Sequence, residues 1–163
     1  MENKLSKEKH MIYIGIDPGE LNKPRSGSIA SINTRCQYES MSTTTWRLPK
    51  LREDFLDLLH VCDERHPHIA YIEKPPIHLN SANEMIRLYQ IYERCIMAVM
   101  AKDIEVVEIT PNKWKNHFEL EYCGDKEMWS VMKSKARELF PDIEVGVNTA
   151  KSLLIAQYAR EVY

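Results

Sequence analysis

Short apolar runs dominate the first third of the chain and give way to helical spacings further on. Residues 11–17 (MIYIGID) form a continuous apolar run closed by Pro18-Gly19, which predicts a buried strand stopped by a turn. After a polar stretch with Lys23, Pro24 and Arg25, residues 28–32 (SIASI) alternate as a second strand, and the Thr-rich segment 37–46 forms a third. Leu51, Phe55, Leu58, Leu59 and Cys62 recur at helical spacing and predict an amphipathic helix over 51–63. Residues 69–72 are a short apolar strand that runs into Glu73 and is halted by Pro75-Pro76.

The longest helix opens at the Asn80-Ser81 cap signal and runs to about Lys102. Its apolar residues, Met85 and Ile86 through Val99 and Met100, cover most of its circumference. Such a helix must be covered on more than one side, and part of the cover is expected from a second copy of the chain, through helix 82–100. Residues 105–109 are a fifth strand ending at Thr110-Pro111. Residues 126–140 form a helix stopped by Pro141, and the last helix starts near Asn148. Three sequential strands imply an antiparallel meander, and strands alternating with helices imply parallel crossovers. Together they predict an α/β fold, a five-stranded mixed sheet with helices on both faces.

Composition narrows the class. The 163 residues carry 22 Lys+Arg against 24 Asp+Glu, a formal net charge of −2 with 44% hydrophobic residues. A disordered chain, a collagen-like one and a disulfide miniprotein are excluded, as is a DNA binder that relies on bulk positive charge. Residues 1–10 are a polar, lysine-rich tail without the apolar segment of a signal peptide, and 11–163 read as one domain. No apolar run is long enough for a transmembrane helix. Cys36, Cys62, Cys95 and Cys123 contain no CxxC pair, which favours reduced thiols and a cytoplasmic setting over structural zinc. His60, His66 and His68 match no metal template and read as solvated loop histidines.

Two carboxylates carry the candidate chemistry. Asp17 ends an apolar strand at a Pro-Gly turn, a setting that suits a metal ligand and equally suits a turn-initiating Asp that bonds its own backbone. Glu73 ends the strand 69–72, where the alternative is an exposed strand-end charge. Adjacent parallel strands would bring the two together at one edge. Carboxylates a few ångströms apart repel unless a cation lies between them, and Mg²⁺ is the usual occupant, with Mn²⁺ as a substitute.

At this point the residues resemble a family. IGIDPG with Gly27 after it, then AYIEKPP, ITPNKWKNHF, ARELFP and AKSLLIAQYARE look like the ordered motifs of the RuvC-type Holliday junction resolvases, in their compact phage-like form. The resemblance implies a ribonuclease H-like fold and a metal-dependent endonuclease, a Mg²⁺-using homodimer that binds four-way DNA junctions and resolves them by phosphodiester hydrolysis. It implies metal ligation by Asp17 and Glu73, with catalytic positions on the last helix at Asn148 and Lys151. An actin-like phosphoryl-transfer enzyme also opens on a GIDPG-like strand end, but that fold needs two such domains and more glycine than the five residues here.

The last helix departs from the family pattern. Asn148 and Lys151 stand where an acidic pair is expected; Asn offers only a neutral oxygen, and a charged Lys cannot ligate Mg²⁺. Three explanations compete. Lys151 replaces one ion's charge in a one-metal nuclease; or the chain is a pseudo-resolvase that binds branched DNA without cutting; or Asp142 or Glu144 is recruited from the preceding loop. For DNA contact, Lys113, Lys115, Lys126, Lys133, Lys135 and Arg137 outnumber the acids of the same stretch, with Trp114 and Trp129 interleaved. A solvated helix face with one buried Trp reads similarly. The resemblance favours Lys113, Trp114 and Lys115 on the DNA side, with Lys23 and Arg25 near the active edge.

Overall fold

The computed structural model describes residues 11–19, 27–34, 42–47, 68–75 and 81–163. The tail 1–10, Lys23, Arg25, Cys36, the expected helix 51–63, His60, Cys62, His66 and Asn80 lie outside the described residues. The elements are β1 (Ile12–Asp17), β2 (Ser28–Asn33), β3 (Ser42–Arg47), β4 (His68–Glu73), α1 (Ala82–Met100), β5 (Glu105–Ile109), α2 (Pro111–His117), α3 (Asp125–Leu139) and α4 (Val147–Val162). They form one five-stranded sheet in the order β3-β2-β1-β4-β5. β1–β2 and β2–β3 are antiparallel, whereas β1–β4 and β4–β5 are parallel, so the meander and the crossovers meet at β1.

Strand alternation sorts the core into two layers. Ile12, Ile14 and Ile16 of β1, with Ile29, Ala70 and Ile72, pack under α1 through Tyr92, Cys95, Ala98 and Val99. Ala30, Ile32, Ile69, Tyr71 and Ile109 face the opposite side and pack against α2, α3 and α4. α4 is central to that layer. Leu153, Leu154 and Ile155 are wholly buried, which is worth about 1.5–3 kcal/mol each.

The helix α2 was not expected; Thr110-Pro111 reads as a strand stop. Pro111 instead occupies the first turn of a helix, where its missing N–H is no loss, and Thr110 is the extended N-cap. His68 is a second correction: it opens β4 half-buried rather than standing in a solvated loop. The expectation for α1 holds in part. Ser81 caps it by accepting from the Glu84 N–H, and one stripe (Leu88, Tyr92, Cys95, Ala98, Val99) is buried. Among the described residues that side is the covered one, and Met85, Ile86, Met97 and Met100 stand exposed.

Candidate functional site

Asp17 and Glu73 meet because of register. β1 and β4 run parallel with Ile16 beside Ile72, so the next residue on each strand ends at the same edge of the sheet. Alternation puts both on the α4 face, opposite Ile16 and Ile72. Both are buried, at 2% and 7% exposure. The Asp17 Oδ1 also accepts the Gly19 N–H at 3.1 Å, so the side chain that meets Lys151 also initiates the turn.

The first turns of α4 complete the site. Gly15 faces α4, where a Cβ would press on the backbone of Ser152 and Ala156, so the helix lies directly on the strand. Ser28, the partner of Asp17 across β1–β2, donates to the Asn148 carbonyl at 2.6 Å, and its Oγ lies 2.8 Å from the Ser152 hydroxyl. Held in this way, Lys151 extends its ammonium between the two carboxylates, 3.0 Å from Asp17 Oδ1 and 2.6 Å from Glu73 Oε1. Its side chain is 13% exposed. The other Glu73 oxygen, Oε2, accepts the Trp114 indole N–H at 2.7 Å.

Electrostatics follow from that geometry. Burial raises the Asp17 carboxyl above the usual carboxylate range; Lys151 opposes the rise and Glu73 adds to it. Burial alone would lower Lys151, but Asp17 and Glu73 outweigh it and hold the ammonium above the ordinary lysine value, so it stays charged.

The expected residues thus divide. Asp17, Glu73 and Lys151 come together, and Asn148 contributes its backbone carbonyl to the Ser28 bond while remaining half-buried. Asp142 and Glu144 are exposed, and among the described residues no group of three His, Cys, Asp or Glu side chains converges to hold a metal. Trp114 is a correction: it is wholly buried under the sheet and bonded to Glu73, so it is unavailable for stacking on a base. Lys113 is exposed, and Lys115 is half-buried with its ammonium 5.6 Å from the Trp114 ring centroid. Sequence reasoning missed Ser28, Ser152 and the role of Gly15. Only the last had a signal, a lone glycine inside an apolar strand.

The residues do not fit a divalent ion as they stand. Two carboxylates face the space that an ion would take, and the lysine ammonium already lies between them as a donor with no lone pair to give.

No family model and no curated protein matches the chain in sequence. Among solved structures, Thermus thermophilus RuvC in complex with Holliday junction substrate matches with a TM-score of 0.59 at 15% identity, over 93% of this chain and 96% of that one. A second Thermus thermophilus RuvC structure matches with a TM-score of 0.60 at the same identity and coverage. No helix among the described residues is long and apolar enough to cross a membrane. The α/β fold expected from the sequence, ribonuclease H-like with a five-stranded mixed sheet and helices on both faces, is the one observed, and the likeness to RuvC is one of fold.

Proposed function

We propose that this chain binds four-way DNA junctions as a twofold dimer and does not cut them by metal-dependent hydrolysis. The RuvC fold, seen in one case with a Holliday junction, supports the substrate class. The observation that carries the second half is the Lys151 ammonium on Asp17 and Glu73 together. A two-ion phosphodiesterase needs carboxylate oxygens turned toward its ions, to activate water and to stabilise the leaving oxygen. Here an oxygen of each is engaged by an ammonium that has no lone pair with which to ligate an ion or activate water. Of the two expectations from the sequence, this contact favours recognition without cleavage over resolution by Asp17 and Glu73 with Mg²⁺.

The exposed side of α1, with Ile86, Met97 and Met100, is the surface for the second copy, because a junction offers two equivalent arms to a twofold dimer. Lys113 and Lys115 are the described candidates for phosphate contact. Lys23 and Arg25 are proposed for the same role from the sequence alone.

The test is a labelled four-way junction beside a linear duplex of the same sequence, in Mg²⁺, Mn²⁺ or EDTA. Binding should favour the junction by about tenfold or more, equally well in EDTA, with no nicked product. Equal affinity for duplex would remove the recognition claim. Symmetric nicks that disappear in Asp17→Asn would remove the claim of silence and restore a resolvase.

A further inference from the structure

We infer that Lys151 is a tethered cation that takes the place of a dissociable metal ion between Asp17 and Glu73, so the site is complete without any ion from solution. This deepens the reading of a site silent toward metal-dependent cleavage and shares its geometry. It is tested without DNA, so its failure and the failure of junction binding are separate results.

Parallel register places two buried carboxylates side by side at one sheet edge, an arrangement that needs positive charge between them. Lys151 supplies it at 3.0 and 2.6 Å. The remaining interactions are arranged around the ammonium. Glu73 turns Oε1 to the lysine and Oε2 to Trp114, and Asp17 shares Oδ1 between Lys151 and Gly19. Both carboxylates are thus oriented by donors of the chain itself, as second partners orient the ligands of a metal.

The lysine is also positioned by more than its own flexible stem. Ser28 fixes the backbone of the preceding turn through the Asn148 carbonyl, and Gly15 lets α4 lie close enough for the stem to reach both strand ends. A lysine that merely found the nearest carboxylate would need neither. The consequence is specific. Removing the ammonium while leaving the carboxylates should create a divalent-cation site, and an acid at the same position should improve it by adding a third oxygen ligand.

The experiment compares the wild-type chain with Lys151→Ala and Lys151→Asp, each stripped of metal, by thermal unfolding and by electron paramagnetic resonance of added Mn²⁺. The wild-type Tm should stay within about 1 °C on addition of millimolar Mn²⁺, and its Mn²⁺ signal should remain that of the free ion. Both variants should melt lower in EDTA and regain at least about 3 °C with Mn²⁺, Lys151→Asp the more strongly. Adding Asp17→Asn to Lys151→Asp should abolish the gain. The inference is overturned if the wild-type chain binds Mn²⁺ as tightly as the variants do. It is equally overturned if neither variant, folded or not, gains a response to Mn²⁺.

Discussion

Gly15→Ala puts the seating of α4 on β1 to a direct test. A methyl at position 15 would lie 3.0 Å from Ala156 Cα and nearer still to the Ser152 carbonyl oxygen and the Ala156 nitrogen. Those atoms are all backbone, so no change of rotamer relieves the contact. The helix must retreat by about 1 Å to regain ordinary separations. That retreat also loosens its packing against β2 and β4 and lengthens the Ser28 bonds to Asn148 and Ser152. Overpacking a dense core costs about 1–3 kcal/mol, and the upper end is expected where a whole helix moves. For a domain of this size about 3 kcal/mol corresponds to a fall of about 6–12 °C in Tm. Thermal and urea unfolding, followed by circular dichroism, measure it. Adding Ala156→Gly should give no relief, since the obstruction is main chain. A loss below about 0.5 kcal/mol, or recovery with Ala156→Gly, would refute the close seating of α4.

Three further outcomes follow from the same geometry. Trp114→Phe keeps an aromatic ring in the core but withdraws the donor to Glu73 Oε2, and should cost about 1.5–3 kcal/mol in urea unfolding; a neutral result would mean that Glu73 does not depend on the indole. Burial pushes the Cys95 thiol up to about 12, while Cys123 is exposed, so iodoacetamide followed by peptide mass spectrometry should label Cys123 and spare Cys95 until the chain unfolds. Burial alone would raise Glu161, but hydrogen bonds from His117 and Gln157 outweigh it and hold the carboxyl below its ordinary range. Its stabilising contribution is therefore full above the ordinary glutamate value and fades as pH falls through the lower, folded one. His117→Ala should flatten the acid limb of a Tm-against-pH profile over that window, and an unchanged limb would exclude the pair as a contributor.

The parts of the fold that periodicity controls were legible. The strand at 105–109 and the helix starts near 81, 126 and 148 rest on apolar spacing and cap residues, signals that are local. Asp17 and Glu73 were legible for the same reason: each ends an apolar strand at a turn. Lys151 was visible only as a departure from the pattern of a family, since a lysine on a helix carries no mark of the carboxylates it will meet. Trp114 shows where local reading stops. An aromatic flanked by Lys113 and Lys115 has the same pattern whether it faces solvent or core, and only the packing of α2 against α4 and the Glu73 end of β4 decides. Ser28 and Ser152 are small hydroxyls whose partnership depends on two distant elements arriving at one place.

The span of that partnership bears on how the chain folds. Lys151 and Asp17 are 134 residues apart, and Ser28 and Ser152 are 124 apart. Strand pairing between β1 and β4 closes a far shorter loop, so it can form first at lower entropic cost. A sheet without α4 would lack the Lys151 ammonium between Asp17 and Glu73. Arrival of α4 covers the apolar layer and delivers the neutralising charge in the same event. Late docking is thereby coupled to relief of repulsion, and a partly folded sheet carrying the wrong helix on that face would keep its electrostatic penalty. The charge balance of the sheet edge is thus tied to the seating of α4.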